Sequence, residues 1–358
     1  MRNWYGVGMR IVAADSEIAC ATSPAEMSDH SRAGWDWRTE LKQAVRNPAQ
    51  LLAALHLPLE LTAAAELAAQ SFPLFAPWSY IRRMTHGKLD DPLLRQVLPL
   101  GDELAEVAGF EQDAVGDSAA VKSAGLLQKY HGRALLITTG ACAIHCRYCF
   151  RRHYPYSTSP RSVDDWEPAL DLIRADASIE EVLLSGGDPL TLVDRTLGEL
   201  AERLAAIPHL KRLRIHTRLP IVIPQRVTGE LLDWLRGTRL TPVMIVHANH
   251  AQEIDVAVAD SLARLIDSGV PVLNQAVLLR GVNDSVAALV DLSKRLVDLR
   301  VMPYYLHQLD RVAGAAHFEV PVARGLQLME QIRQQLPGYA VPRYVQEIAG
   351  EPHKRVLA

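Results

Sequence analysis

Two sequence patterns alternate repeatedly along this chain. Short apolar, β-rich runs occur at 133–140 (RALLITTG), 180–190 (EEVLLSGGDPL), 210–218 (LKRLRIHTR), 241–250 (TPVMIVHANH), 270–279 (VPVLNQAVLL) and 300–308 (RVMPYYLHQ). Between them lie helical stretches such as VDDWEPALDLIRA, TLGELAERLAAI and IDVAVADSLARLIDSG. Apolar strands joined by crossover helices form a parallel sheet covered by those helices. Polar residues gather where the runs end: Ser185 to Asp188, His216 to Arg218, His247 to His250, Asn274 and Gln275, and His307 to Asp310. An open doubly wound sheet concentrates its site at one switch point, whereas a barrel draws on many strand ends. The spread of polar ends favours an α/β fold built on a barrel.

The alternation does not reach the N-terminal third. From 33 to 110 the pattern is helical and interrupted by Pro and Gly, with Asn47 as an expected cap and Pro48 at a first helical position. Residues 1–32 are weakly patterned and are expected to be a leader. At 358 residues and 49% hydrophobic content the chain can bury a sizeable core. A net charge of -3 gives no electrostatic case for nucleic-acid binding. No apolar run is long enough to span a membrane, and the first residues lack the apolar block of a signal peptide. A cytoplasmic setting is expected.

Three of the four cysteines, Cys142, Cys146 and Cys149, fall within eight residues, just past the first strand. Soft thiolates at this density suit a soft metal. Structural zinc would need a fourth ligand, for which His145 or His153 is available. Three thiolates alone suit a [4Fe-4S] cluster with one iron left open. Cys20, in the weakly patterned leader, is a poor fourth ligand.

C-x3-C-x2-C after a first strand, with Tyr148 before the last cysteine, resembles the radical S-adenosylmethionine superfamily. In that superfamily the open iron chelates S-adenosylmethionine, and reductive cleavage gives a 5'-deoxyadenosyl radical. Ser185-Gly186-Gly187-Asp188-Pro189 is similar to its GGDP-type motif, and adjacent glycines allow close backbone approach. The segments CRYCFRR, SGGDPL, RLPIVIPQRVT, ANHAQEI, NQAVLLRGVND and HFEVPVARG resemble the lysine 2,3-aminomutase family, over about 33–358.

That resemblance implies roles. Lys354 falls where the family's pyridoxal 5'-phosphate lysine lies, although GEPH replaces a glycine-richer run before it. Arg133 matches an arginine on the cofactor's phosphate. Arg151 matches the arginine that pairs with the substrate's α-carboxylate. Asp310 and Glu347 match two acids that hold the substrate's ε-ammonium, Glu347 standing where larger members have Asp. Ser185, Gly186, Gly187 and Asp188 would bind S-adenosylmethionine, and Cys142, Cys146 and Cys149 the cluster. The chain ends four residues after Lys354, without the zinc-binding cysteines of the large fermentative members. The short bacterial branch, which makes (R)-β-lysine for elongation factor P, is therefore expected.

The expected architecture is a helical region (33–110), a partial (β/α)6 TIM-like barrel (111–320) and a C-terminal segment (321–358) closing the pyridoxal site. L-lysine is the expected substrate and flavodoxin or ferredoxin the expected electron donor. A functional link to the elongation factor P lysyl-ligase is expected too. An aminomutase for another amino acid, and a non-catalytic metal-binding partner of that ligase, are the rival readings.

Overall fold

The computed structural model describes residues 34–358 apart from Arg161; the expected leader, 1–32, lies outside the described residues. The N-terminal portion is helical, as its pattern indicates. It carries α1 (Trp37–Lys42), α2 (Pro48–Ala54), α3 (Thr62–Ser71) and α4 (Trp78–Ile81). The Asn47 side chain accepts from the Gln50 N–H, and Pro48 begins α2, where its missing N–H costs nothing.

The strands follow: β1 (Val121–Ser123), β2 (Leu126–Leu127), β3 (Arg133–Thr139), β4 (Glu181–Gly186), β5 (Arg212–Thr217), β6 (Thr241–His247), β7 (Val272–Val277), β8 (Met302–His307), β9 (Arg343–Gln346) and β10 (Arg355–Val356). They form one sheet in chain order. Pairing is parallel from β3 to β9 and antiparallel at β1–β2, β2–β3 and β9–β10. Each parallel strand lies beside the next in sequence, so the order never reverses. Right-handed crossovers then place the covering helices on one face, and the sheet curls into a partial barrel.

The main crossover helices are α5 (Glu167–Ala175), α6 (Asp194–Ala205), α8 (Gly229–Arg236), α9 (Val256–Asp267), α10 (Val286–Asp298) and α11 (Val322–Arg333), with a single turn, α7 (Leu219–Val222), after β5. Their faces explain the packing. In α6, Leu197, Leu200, Ala201 and Leu204 are buried, at the i, i+3, i+4, i+7 spacing of one helical stripe. Thr228, Asp255 and Ser285 each cap a helix through a side-chain oxygen. On β5, Leu213 and Ile215 lie in the core, while Arg214 and His216 share the opposite face.

The six expected strands are present within a few residues of their anticipated ends. Two things differ. β9 adds a seventh parallel strand to the expected six. β10 pairs back on β9, so the expected C-terminal segment, 321–358, adds strands to the same sheet. Both strands are short and flanked by charge, and neither has an apolar run to announce it.

Candidate functional site

The site gathers at the C-terminal ends of the parallel strands, where the thiol loop leaves β3. The β3–β4 register slips between Ile137 and Thr139, pairing Thr139 with Gly186. Such a bulge re-aims the chain next to a site. Gly186 sits at φ +119, and a Cβ there would stand 2.7 Å from the Thr139 carbonyl oxygen. At Gly187 a Cβ would stand 2.2 Å from the Ala141 oxygen. The close approach these glycines permit is therefore to the thiol loop itself. The Asp188 carboxylate is committed to protein: it accepts from the Thr217 hydroxyl and the Arg218 N–H, each at 2.7 Å, and from the Leu190 N–H at 3.1 Å. It ties the end of β4 to the end of β5.

Cys142, Cys146 and Cys149 are free thiols on this loop. Burial pushes the Cys149 thiol up to about 11 and Cys142 well above the usual thiol range; Cys142 is raised further by Cys149, Asp188 and Cys146, and Cys149 by Cys146. Three thiols within one another's fields, on one loop, fit a soft metal cluster. Among the described residues, no three His, Cys, Asp or Glu side chains stand in closed metal-ligand geometry. The two histidines available for zinc are turned elsewhere. His145 places Nδ1 2.8 Å from the Pro73 carbonyl and stacks on Phe72, and His153 places Nε2 3.0 Å from the Ala313 carbonyl.

The loop is anchored by buried charge. Arg147 donates from Nε and Nη2 to the two Glu103 oxygens at 2.8 and 2.5 Å, and Arg152 Nη2 reaches the same carboxylate at 2.7 Å. All three side chains are essentially inaccessible. Arg218, which follows β5, donates to Cys146 Sγ at 2.7 Å and pairs with Glu253 at 2.8 Å.

Beside the loop lies a second charge network. Arg151 donates from Nε to Asp117 at 2.7 Å and from Nη1 to the Ser185 hydroxyl at 3.0 Å. Lys129 pairs with Asp117 at 2.7 Å and stands 3.7 Å from Glu347. Glu347, next to β9, accepts from the Tyr130 hydroxyl at 2.6 Å and pairs with the Lys354 ammonium. Arg133 stacks over the Tyr130 ring at 4.6 Å. Burial acts to raise the Glu347 pKa, but Lys354 and Tyr130 outweigh it and hold the carboxyl below its usual range. Asp310 is in the same field. Burial pushes its carboxyl up to about 7, against the pull of Lys354 and with the repulsion of Glu347.

The structure thus brings Arg151, Ser185, Asp310, Glu347 and Lys354 to one end of the barrel, on the side of the cysteines, whereas Arg133 opens β3 at its other end and joins the set through the Tyr130 ring. Sequence reasoning missed Asp117, Lys129 and Tyr130, which knit this set together. They lie in GDS and QKYHGR, polar stretches that carry no pattern of their own. Three further atoms complete the mouth. Nε2 of His216, His247 and His307 is buried without a hydrogen-bond partner. Burial holds all three imidazoles neutral, His247 at about 3 and the other two well below the usual histidine range.

A cysteine loop after the first strand of a partial barrel, with charged groups crowding the strand ends, defines the radical SAM class. Residues 136–292 match the Radical SAM superfamily model. Over 90% of this chain and 94% of the relative, the sequence is 46% identical to L-lysine 2,3-aminomutase of Escherichia coli (strain K12). It is 44% identical to the L-lysine 2,3-aminomutase of Haemophilus influenzae, over 90% of this chain and 96% of that protein. For the L-lysine 2,3-aminomutase of Clostridium subterminale the figures are 34%, 90% and 78%. The chain belongs to the L-lysine 2,3-aminomutase family and is an enzyme of the isomerase type.

Proposed function

We propose that this enzyme converts L-lysine to (R)-β-lysine, using S-adenosylmethionine at a [4Fe-4S] cluster together with pyridoxal 5'-phosphate. The observation that carries this reading is the shared charge network of Lys354, Glu347, Asp310 and Arg151 beside the thiol loop. It combines an amine, two acids and a guanidinium where a basic amino acid would meet a radical source. The unpartnered Nε2 atoms of His216, His247 and His307 fit a polar cofactor, since buried polar atoms want partners.

Bound at these residues, the groups supply hydrogen-atom abstraction, from S-adenosylmethionine at the reduced cluster, and covalent capture of the α-amine, from pyridoxal phosphate. The protein's part is placement. Lys354 would hold the pyridoxal group through Nζ. Arg133 offers a fork suited to a phosphate. Asp117 grips Arg151 by Nε and Ser185 accepts from Nη1, which orients the guanidinium towards a carboxylate. Asp310 and Glu347 supply negative charge for the ε-ammonium, which a half-buried site must provide. Two acids at that end would repel the side-chain carboxylate of glutamate. Fixing both ends of the substrate presents C3 to the cluster side of the site.

We further infer that the segment after 320 closes the pyridoxal site, and that the β-lysine product serves the ligase that modifies elongation factor P. A cytoplasmic flavodoxin or ferredoxin is the fitting electron donor. Among the described residues no helix is long and apolar enough to cross a membrane. The test is anaerobic. Reconstituted protein is supplied with pyridoxal phosphate, S-adenosylmethionine, dithionite and L-lysine, and products are resolved by chiral chromatography with mass detection. (R)-β-lysine at unchanged mass is expected, and its loss on omitting any one cofactor. No product from lysine at full iron and pyridoxal occupancy would overturn the substrate assignment.

A further inference from the structure

Several buried groups outside the lysine and pyridoxal sites converge on Arg218, which itself touches Cys146 Sγ. Arg218 is 5% exposed. Its guanidinium divides its contacts between two ends. Nη2 is held by Glu253 at 2.8 Å, by the Gln96 side-chain oxygen at 2.5 Å and by the Tyr80 hydroxyl at 3.3 Å. Nη1 reaches Cys146 Sγ at 2.7 Å. Glu253 has no exposed surface, and its second oxygen accepts from the N–H groups of Asn249 and His250 at 2.8 and 3.1 Å. The rings of Tyr80 and Tyr148 flank the guanidinium, with centroids 5.4 and 5.9 Å from its carbon. Asn249 in turn donates to Gln96 and to the Tyr148 hydroxyl, at 2.9 and 2.7 Å. This is a fixed ion pair with its cation against the sulfur and its anion behind.

The arrangement exceeds what anchoring requires. The loop is already pinned by Glu103 between Arg147 and Arg152, and by the main-chain bonds from His145 to Phe75 and from Arg147 to Gln96. Anchoring and sulfur contact use different nitrogens of Arg218, so the two tasks are separable. Guanidinium stays charged at every working pH. In a water-poor interior its field is screened far less than in solvent. Hydrogen bonds to cluster sulfurs and nearby charge are among the levers that set iron–sulfur potentials. A cation nearer the sulfur than its counter-ion favours the more negative, reduced form.

We propose that Arg218, oriented by Glu253, is a positioning residue that raises the reduction potential of the cluster held at Cys142, Cys146 and Cys149. The inference rests on the radical SAM reading of the thiol loop and is independent of lysine and pyridoxal phosphate. One electron enters the cluster, supplied in the test by dithionite. No bond to Arg218 forms or breaks, and its protons stay in place.

The experiment is a potentiometric titration of the full-length reconstituted protein, followed by electron paramagnetic resonance, without pyridoxal phosphate or lysine. Arg218→Gln is expected to make the potential more negative. Arg218→Lys, which keeps the charge but loses the fork, is expected between Arg218→Gln and the unaltered protein. Glu253→Gln leaves the cation uncompensated and moves the potential the other way. Opposite shifts are the signature, because general loosening of the fold would move both variants alike. Wild-type potentials in both variants at full iron content, or shifts of the same sign, would overturn the proposal. If Arg218→Gln binds no iron, the Arg218→Lys and Glu253→Gln pair decides by the same rule. Absence of a reducible cluster in the unaltered protein would sink the radical SAM reading, and this proposal with it.

Discussion

The thiol loop and the Glu347–Lys354 segment meet at one end of the barrel, yet they are built on opposite plans. The thiol loop is held by buried, mutually satisfied ion pairs. Glu103, Arg147 and Arg152 have almost no accessible surface, and Arg218 with Glu253 has little more. The Lys354 side chain keeps 27% of its surface, and Lys129, which also faces Glu347, keeps 21%. Its pairs are between groups that a ligand would use. Lys354 rests on Glu347, and Lys129 faces the same carboxylate. One region is fixed before any ligand arrives; in the other, protein charges occupy partners that substrate and cofactor charges can replace. Buried pairs are costly to break from one side, whereas part-exposed pairs exchange at small cost.

The largest effect falls at the part-exposed, functional extreme. Lys354→Ala is expected to abolish pyridoxal absorbance and turnover while iron content stays at the wild-type level. Loss of iron in this variant would show that the two regions are not independent. Next comes the structural extreme. Glu103→Ala strands two buried guanidiniums and is expected to cost on the order of 3–5 kcal/mol. Chemical denaturation reads this directly, and a variant as stable as the parent would contradict the anchoring role given to Glu103.

Asp310→Asn should lower kcat/KM for lysine by about 2–3 kcal/mol, or roughly 10²-fold, as expected for truncating one partner of a desolvated charge pair. Its pH behaviour sharpens the test. With a carboxyl at about 7, Asp310 is protonated and neutral below that pH and charged above it. Activity in kcat/KM is therefore expected to fall as pH drops through about 7, since this parameter reports the free enzyme. Asp310→Asn should lack that acid limb, and an unchanged limb would assign it to another group. The smallest effect is expected at Glu347→Asp. Shortening the side chain by one methylene withdraws it from Tyr130 and from the ammonium it faces. KM for lysine is expected to rise about tenfold, or ~1.4 kcal/mol, with kcat little changed.

Much of this was legible in the sequence. The six strands between 133 and 308 announced themselves by apolar runs bounded by helical period. The Cys142–Cys149 loop did so by spacing. Lys354, Glu347, Asp310, Arg151 and Arg133 were reached only through resemblance, because a lone charged residue carries no local signal. Asp117, Lys129 and Tyr130 were not reached at all, and neither was the grip of Glu253 and Gln96 on Arg218. These contacts join residues far apart in the chain, 217 positions in the case of Tyr130 and Glu347. No periodicity links residues at such a distance.

What the sequence determined by itself was the set of local choices: which runs extend, which coil, where helices are capped, and that three thiols share one loop. Those follow from side-chain periodicity and short-range sterics, which act over a few residues. Which charges meet was set by the folded arrangement alone. That β9 and β10 return to the sheet, that Lys354 pairs with Glu347, and that Arg218 turns one nitrogen to Cys146 and the other to Glu253 all depend on how the sheet curls and the loops at its end pack. Burial then fixes those meetings, because a charge taken out of water must find its partner inside the fold.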